Sequence, residues 1–292
     1  MEAGFPPHVF QVITADRSST ADVGSELCRN PLVQKISFTG STKVGKELMR
    51  QSSDTVKRVS LELGGNAPFI VFDDYRDHLD QAVDAAVASK FRNAGQTCVC
   101  ADRFLVQEGV YDEFCARLTE RVEKMRIGDG MEPTTQIGPL ITKQAVDSVV
   151  EKVTEAVKEG AKCLTGGNRR EDLGPQFYEP TVLNNVDTDS RVWKTEIFGP
   201  VAPVRSFQSD EEALDIANAC SVGLASYFCT HDLARAFGMA KKLEAGIVGV
   251  NEGIISSAVA PFGGVKESGL GREGSSMGIA EYLETKYIFM NF

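Results

Sequence analysis

The stretch VSLELGGNAPFIVF, residues 59–72, places two short apolar runs on either side of a pair of glycines. Residues 59–63 and 68–72 are each typical of a buried strand, and Gly64-Gly65 stops the first of them. Outward from this stretch, strand-like runs alternate with helical patterns, which favours an α/β architecture. The composition changes at Gly64-Gly65-Asn66, so we predict a domain boundary there.

Further elements follow from the same periodicities. Strands are predicted at residues 9–13, 35–38, 103–107, 246–250 and around Phe228, and helices at 42–51, 79–93, 110–125, 142–159, 210–219 and 233–243. Gly95, two positions beyond the helix predicted at 79–93, is expected to stop that helix. Residues 282–292 are predicted to form an exposed strand, which pairs either with the edge of the chain's own sheet or with a neighbouring subunit.

Composition limits the class of protein. The chain has 292 residues, a hydrophobic content of 42% and a net charge of -10, which suits about two domains and argues against nucleic-acid and anionic-membrane partners. No apolar run reaches the roughly 18 residues that a membrane span needs. The seven cysteines are odd in number and irregularly spaced, which favours reduced thiols in an intracellular compartment. The first residues match neither a signal peptide nor a transit peptide.

The segment GSTKVGK, residues 40–46, resembles a P-loop only in part. A P-loop needs Ser or Thr after the lysine, and Glu47 stands there instead, so that interpretation is disfavoured. The amides of Gly40 and Ser41 open a predicted helix and could bind the pyrophosphate of a dinucleotide. The alternative is an ordinary Ser/Thr cap on a surface helix.

Two residues are candidates for catalysis. Glu62 lies in an apolar strand, where burial would raise its pKa and suit it as a general base; the alternatives are a paired core glutamate or one that faces water. Cys98 follows a helix end, within FRNAGQTCVC at residues 91–100, and is a potential thiolate nucleophile. An inert buried cysteine is the alternative. A metal site is not predicted, because only Cys98 and Cys100 cluster and the spacing of a zinc site is absent.

Together, these segments resemble the aldehyde dehydrogenase superfamily. The motifs are FTGS at 38–41, ELGG at 62–65, GQTC at 95–98, EIFGP at 196–200, and PFGG at 261–264 followed by Lys266, Ser268 and Gly269. Residues 91–100, 250–257 and 268–274 further resemble the succinate-semialdehyde dehydrogenase type. The resemblance runs over residues 1–292, but nothing in the chain matches the family's N-terminal part.

The resemblance implies an aldehyde dehydrogenase fold. Residues 1–64 would form the C-terminal half of a Rossmann-like NAD(P)-binding domain, 65–268 an α/β catalytic domain, and 269–292 a return segment with an oligomerisation strand. Cys98 would attack the aldehyde to form a thiohemiacetal and then a thioester, and Glu62 would activate the hydrolytic water. The residues implied in binding NAD or NADP are Gly40, Ser41, Thr42, Gly45, Leu63, Glu196 and Phe198.

Three more roles are implied by the resemblance. Arg92 and Ser256 would bind the substrate carboxylate, and an arginine fork suits that group. The alternative for Arg92 is a surface salt bridge at a helix end. Cys100 would form a reversible disulfide with Cys98 as a redox switch, or else be a packed thiol.

Partners and location are also implied by the resemblance. A complete protein would be a homo-oligomer, a tetramer or a dimer, that is mitochondrial in a eukaryote and cytoplasmic in a bacterium, and would oxidise succinate semialdehyde in GABA degradation. An alternative within the same superfamily is that the substrate is another semialdehyde or a short aldehyde. The alternative from a different class is a non-catalytic truncated subunit that docks on full-length homologues.

Overall fold

The computed structural model describes residues 3–292, which form eight helices and twelve strands within that range. The helices are α1 (Thr20–Arg29), α2 (Thr42–Ser52), α3 (Leu79–Phe91), α4 (Tyr111–Glu123), α5 (Lys143–Lys158), α6 (Arg191–Lys194), α7 (Asp210–Asn218) and α8 (Leu233–Lys242). The strands are β1 (Lys35–Thr39), β2 (Arg58–Glu62), β3 (Ala67–Val71), β4 (Ala101–Gln107), β5 (Lys162–Thr165), β6 (Thr181–Asn184), β7 (Val201–Phe207), β8 (Val222–Gly223), β9 (Ala225–Cys229), β10 (Ile247–Val250), β11 (Val265–Lys266) and β12 (Gly269–Leu270).

The strands form two main sheets. The smaller has the order β1-β2-β12, with β1 and β2 parallel, α2 connecting them, and β12 antiparallel to β2. The larger has the order β10-β9-β3-β4-β7-β6-β5, and all its pairs are parallel except β5 with β6. The short strands β8 and β11 pair separately.

The centre of the larger sheet is buried on both faces, which explains its continuous apolar sequence. Every residue of β3 is buried, and β4 is buried from Ala101 to Val106. The rings of Phe69, Phe104 and Tyr227 pack across the neighbouring strands β3, β4 and β9, with centroids 5.5 and 6.0 Å apart. Burying one such side chain contributes about 1.5–3 kcal/mol. Asp102 and Arg103 are also buried in β4, so both charges need partners.

The chain passes between the sheets through Gly64-Gly65-Asn66. β2 ends at Glu62 in the smaller sheet and β3 begins at Ala67 in the larger one. The later strand β12 returns to the smaller sheet beside β2. The α/β prediction is confirmed, whereas the division into domains at 64 and 268 stays a prediction.

Several predicted elements were wrong or misplaced. Residues 9–13 and 283–292 form no strand, because neither segment has a partner strand within the described chain. The own-sheet pairing of the C-terminal segment was therefore wrong, and pairing with a neighbouring subunit stays a prediction. Helix α3 ends at Phe91 rather than at residue 93, because Arg92 is extended. Helix α1 and strands β5, β6 and β7 were not predicted.

Candidate active site

Glu62 is the last residue of β2 and is almost fully buried, with 4% of its surface exposed. Its neighbours across the sheet are Thr39 and Gly269. Within the described chain its Oε2 atom has no hydrogen-bond partner. Burial first, and then the charge of Glu273, raise the pKa of Glu62 to about 7, against the opposing charge of Arg272. A buried carboxyl of this kind takes and releases a proton near neutral pH.

The loop before β4 holds Cys98 in a constrained backbone. Asn93 and Ala94 have φ values of 52° and 54°, and Gly95 has φ 77°, so three successive residues are left-handed. Such conformations cost free energy in non-glycine residues and persist only where surrounding contacts impose them. Two such contacts are the Gln96 Nε2 donor to the Asn93 carbonyl at 3.1 Å and the Tyr227 hydroxyl to the Val99 carbonyl at 2.7 Å.

Gly65 brings the cysteine loop against the strand that carries Glu62. A Cβ atom at Gly65 would clash with the Cys98 carbonyl oxygen, so only glycine permits this approach. Burial first, and then the charges of Glu196 and Glu62, raise the pKa of the Cys98 thiol to about 11. The thiol is therefore protonated at neutral pH and needs a base before it can act as a nucleophile.

Glu196 lies between α6 and β7 and reaches the same glycine turn. Its Oε1 accepts a hydrogen bond from the Gly65 amide at 3.0 Å, and its backbone carbonyl accepts one from Lys152 Nζ. Burial raises the pKa of Glu196 to about 7, although the Gly65 hydrogen bond opposes the shift. Glu196 is thus fixed in orientation, unlike Glu62.

A buried ion pair connects the cysteine loop to the Glu196 loop. Lys90 Nζ, at the end of α3, contacts Asp102 Oδ1 at 2.6 Å, and Asp102 Oδ2 accepts from the Ile197 amide at 3.0 Å. Lys90, Asp102 and Lys152 were not singled out from the sequence. The one available signal was Asp102, a charged residue inside the largely apolar strand β4.

Several of the predicted cofactor residues pack against one another between α2 and the end of β2. Gly40 donates to the Glu62 carbonyl at 2.9 Å, and Ser41 caps α2 through its side chain. Gly45 packs so closely on Leu63 that a Cβ atom would lie 2.5 Å from the leucine side chain. The predicted N-cap is therefore present, and it does not exclude an anion at the same amides.

The turn at Gly64 lies directly against the side chains of Glu196 and Thr42. A Cβ atom there would lie 2.9 Å from Glu196 Oε2 and 3.5 Å from Thr42 Oγ1. Phe198, with φ 51° and 42% of its surface exposed, flanks the same loop. The carboxylate of Glu196, the hydroxyl of Thr42 and the amides that open α2 are the kinds of group that bind the ribose and pyrophosphate of a dinucleotide.

The predicted substrate residues are exposed and are joined to each other by no hydrogen bond in residues 3–292. Arg92 follows α3 directly, and its charge acts on the buried Tyr227 hydroxyl, whose pKa is raised mainly by burial. Ser256 lies in the segment between β10 and β11. Cys100 is buried, with its sulfur 2.9 Å from Thr97 Oγ1 and 3.6 Å from the Lys90 carbonyl.

In residues 3–292, no three or more metal-ligating side chains converge. Nor does any helix in that range have the length and apolarity required to span a membrane.

Comparison with known proteins gives one consistent family. The profile described as "Aldehyde dehydrogenase family" matches residues 1–288. Among curated relatives, the chain is 55% identical to the mitochondrial succinate-semialdehyde dehydrogenase of Rattus norvegicus, with 98% of this chain and 54% of that protein covered. It is 53% identical to the NADP(+) succinate-semialdehyde dehydrogenase of Escherichia coli, covering 99% and 58%. It is 52% identical to the glutarate-semialdehyde dehydrogenase of Pseudomonas aeruginosa, covering 98% and 58%.

Solved structures agree with this assignment. The succinate-semialdehyde dehydrogenase of Burkholderia pseudomallei superposes with a TM-score of 0.92 at 51% identity, covering 96% of this chain and 57% of that one. A betaine aldehyde dehydrogenase of Staphylococcus aureus, in complex with NAD+, superposes with a TM-score of 0.92 at 38% identity, covering 98% and 57%. The chain thus spans about half the length of the relatives it matches. It belongs to the aldehyde dehydrogenase family.

Proposed function

We propose that this protein oxidises succinate semialdehyde to succinate with NAD or NADP, with Cys98 as nucleophile and Glu62 as general base. The observation that carries the proposal is the buried Glu62 carboxyl beside the protonated Cys98 thiol, with pKa values raised to about 7 and about 11. Glu62 ends a strand of the smaller sheet and Cys98 lies on the loop before β4 of the larger sheet; Gly65 lets the two backbones approach, and the charge of Glu62 acts on the Cys98 thiol.

The residues divide the reaction into two stages. Glu62 accepts the thiol proton, and Cys98 Sγ bonds to the aldehyde carbon as a thiohemiacetal. Bound oxidised nicotinamide supplies the hydride acceptor that converts this adduct to a thioester. Glu62 passes the thiol proton to solvent and then takes a proton from water, whose oxygen attacks the thioester. The C–S bond breaks as the carboxylic acid forms, and the Cys98 sulfur leaves as a thiolate. A covalent intermediate replaces one difficult step with two easier ones.

Glu62 is better suited to these transfers than Glu196. One oxygen of Glu62 has no hydrogen-bond partner in the described chain, so no other donor of the described residues occupies its lone pairs. Glu196 is fixed by the Gly65 amide, which favours a steady contact with ribose hydroxyls. Gly40, Ser41, Thr42 and Gly45 would hold the pyrophosphate side of the cofactor.

Nearer the reacting carbon, Leu63 would contact the nicotinamide through its backbone and Phe198 would pack beside the ring. Both NADP and NAD occur in the names of similar proteins.

The substrate proposal depends on a carboxylate at the far end of the aldehyde. Succinate and glutarate semialdehydes, named for two similar proteins, both carry one. Arg92 has a guanidinium that makes no side-chain hydrogen bond in residues 3–292, and it lies next to the cysteine loop. Together with Ser256 it would bind the carboxylate bidentately.

The remaining expectations are part of the same proposal. Cys98 and Cys100 are both free thiols, and their disulfide would stop the reaction under oxidation. A homo-oligomer and a mitochondrial or cytoplasmic location stay predictions; one similar protein is named as mitochondrial.

The test is reduced-cofactor formation by the purified, reduced protein with succinate semialdehyde, glutarate semialdehyde and butyraldehyde. Cys98→Ser should abolish turnover of all three. Arg92→Gln should lower kcat/KM for the two semialdehydes by about tenfold or more, consistent with loss of a charge-assisted hydrogen bond. Butyraldehyde, which has no carboxylate, should be unaffected. An equal loss for butyraldehyde would refute carboxylate binding by Arg92, and full activity of Cys98→Ser would refute the mechanism.

A further inference from the structure

Lys152 is a buried lysine on the apolar face of α5, and the mechanism proposed above makes no use of it. The helix buries Val146, Val149, Val153 and Ala156, and Lys152 lies among them at helical spacing with 7% of its surface exposed. Lysine is almost never fully buried without a partner, because removing an ammonium group from water is costly. A charge in this position therefore needs a compensating contact inside the protein.

Lys152 makes that contact with the loop that carries Glu196, where its Nζ atom donates to the Glu196 backbone carbonyl. One turn earlier, α5 meets the same loop again, because a Cβ atom at Gly199 would lie 2.5 Å from Val149 Cγ2. Gly199 also meets the cysteine loop, since a Cβ atom at Gly95 would lie 2.1 Å from the Gly199 carbonyl oxygen. The Glu196 loop thus packs against both α5 and the cysteine loop.

Four charged side chains act on one another around this loop: Lys90, Lys152, Asp102 and Glu196. Lys90 contacts Asp102 at 2.6 Å, whereas Lys152 forms no ion pair in the described chain. Burial first lowers the pKa of Lys152; among the charges around it, those of Asp102 and Glu196 raise that pKa, and those of Arg191 and Lys90 lower it. Because Lys90 is neutralised by direct contact with Asp102, Lys152 is the cation whose charge is left to act on Glu196.

The Glu196 carboxyl is sensitive to such a charge. Burial raises its pKa to about 7; the Gly65 hydrogen bond opposes burial, the charge of Asp102 adds to it, and the charges of the two lysines oppose it. Near neutral pH the carboxyl is therefore divided between its charged and neutral forms, and a change in the charge nearby alters the balance. Glu196 also acts on the Cys98 thiol, but that thiol, with its pKa raised to about 11, is uncharged in this range.

We propose that Lys152 is a positioning residue for the cofactor: its charge keeps the Glu196 carboxyl ionised, and its N–H holds the backbone carbonyl of the same residue. The inference rests on the proposed function, in which Glu196 binds the ribose hydroxyls. Hydrogen bonds to an ionised carboxylate are roughly twice as strong as neutral ones. A protonated carboxyl is uncharged, so its hydrogen bonds to the ribose would lose that assistance. Lys152 thereby sets the affinity for the cofactor near neutral pH through Glu196.

The first test measures the ionisation of Glu196 in the protein without cofactor. Glutamate carboxyls are labelled with carbon-13 and followed by NMR as the pH is raised, and Glu196→Gln identifies the signal of Glu196. In Lys152→Met, which keeps an apolar stem without the charge, the Glu196 midpoint should rise by about one unit, as expected on loss of a nearby opposite charge. An unchanged midpoint overturns the proposal.

Two controls accompany this measurement. Glu62 should keep its midpoint in Lys152→Met, because the charges that act on it are those of Glu273 and Arg272. An equal shift of Glu62 would mean a general change in the protein and would overturn the proposal. Lys152→Arg keeps a positive charge and N–H donors, so its Glu196 midpoint should match that of the unmodified protein. A shift in Lys152→Arg equal to that in Lys152→Met would also overturn it.

The second test separates the charge of Lys152 from its hydrogen bond to the loop. With the Glu196 midpoint about one unit higher, the ionised fraction at about pH 7 falls from about a half to about a tenth. The cofactor Kd of Lys152→Met, measured by fluorescence titration, should then be about fivefold weaker. About two pH units higher, Glu196 is ionised in both proteins and the two Kd values should converge. An equal loss at both pH values would assign the effect to the hydrogen bond and overturn the role of the charge.

Failure of the proposed function would give a different pattern. If this chain does not bind NAD or NADP, no variant yields a Kd, while the Glu196 midpoint still reports the action of Lys152. A shifted midpoint without cofactor binding would refute the proposed function and support the action of the Lys152 charge on Glu196. A shifted midpoint that leaves the cofactor Kd unchanged would refute the positioning role.

Discussion

Glu62 and Glu196 approach the same glycine turn from different sheets, and the protein holds them in opposite ways. Glu62 ends a strand of the smaller sheet, and one of its oxygens is unpartnered in the described chain. Glu196 lies on a loop of the larger sheet, where the Gly65 amide and Lys152 fix its carboxylate and its backbone. Burial is the main cause of the raised pKa of both, to about 7.

The comparison shows that a shifted pKa does not by itself assign a role. Both carboxyls could exchange protons near neutral pH, but a general base must also have a free lone pair where the proton arrives. A residue that holds a ligand needs a fixed orientation instead. The contacts around each carboxyl therefore distinguish two groups that have similar pKa values. Variants of Glu62 should lose kcat, and variants of Glu196 should lose affinity for the cofactor.

The largest expected effect is that of Glu62→Gln. Loss of a positioned base lowers rates by about 10²–10⁴-fold, and kcat should fall by that factor. The cofactor Kd should stay within about twofold, because the glutamine amide keeps the shape of the glutamate side chain. Stopped-flow turnover and fluorescence titration of the cofactor measure the two quantities.

Mass spectrometry of the quenched Glu62→Gln protein gives a separate check. If hydrolysis is the step that fails, a succinyl thioester should accumulate on Cys98. If no thioester forms and kcat still falls, Glu62 acts before hydride transfer, as the base for the thiol. Unchanged kcat would remove Glu62 from the mechanism.

The next effect concerns the ion pair that supports the Glu196 loop. Asp102→Asn leaves Lys90 as an uncompensated buried charge, so the free energy of unfolding should fall by about 3–5 kcal/mol. The loop from Glu196 to Phe198 should also loosen, because the single oxygen of asparagine cannot accept from both Lys90 and the Ile197 amide. Urea unfolding followed by far-UV circular dichroism measures the loss.

A double variant separates charge from packing at this position. Lys90→Met combined with Asp102→Leu removes both charges and should restore most of the stability, since apolar replacement of a buried pair is often tolerated. The Ile197 amide has no acceptor at position 102 in the double variant, so the loop that carries Glu196 should stay loosened and cofactor binding should be weaker than in the unmodified protein. Restoration of both properties would contradict an anchoring role for Asp102.

The elements with strong local periodicity were predictable from the sequence. Helix α2 and strand β2 were placed within a residue or two, because apolar spacing and the glycine stop are local properties. Strand β7 was missed, and it contains Pro203, which weakens a strand pattern. Residues 9–13 have the composition of a strand but no partner strand in the described chain. Local sequence does not show whether a partner strand is available.

Like the fold, the candidate site was predictable only where its residues lie in local motifs. Cys98 and Glu62 stand in motifs that can be quoted from the sequence, although their roles remain proposals. The Lys90–Asp102 pair reaches the Glu196 loop through the contact of Asp102 with Ile197, which lies 95 positions later in the chain. Only the folded chain brings these residues together, so no pattern in the sequence predicts the support behind Glu196.

The third effect tests the fixed carboxylate. Glu196→Gln removes a charged acceptor while the amide oxygen can still accept the Gly65 hydrogen bond. A hydrogen bond to a charged group contributes about 1.5–3 kcal/mol, so KM for the cofactor should rise by roughly ten- to a hundredfold. No thioester should accumulate on Cys98, in contrast to Glu62→Gln. Accumulation in this variant would mean that the two carboxyls share the base role.

The smallest effect is a shift in the pH profile. A general base acts when it is deprotonated, so kcat should rise with pH through the Glu62 pKa of about 7 and level off above it. The charge of Glu273 raises that pKa, and Glu273→Gln should therefore move the midpoint to lower pH by a fraction of a unit. Removing the Arg272 charge, as in Arg272→Gln, should move it to higher pH. Glu196→Gln should leave the midpoint in place if Glu62 alone is the base; a midpoint that follows Glu196 instead would reverse the two assignments.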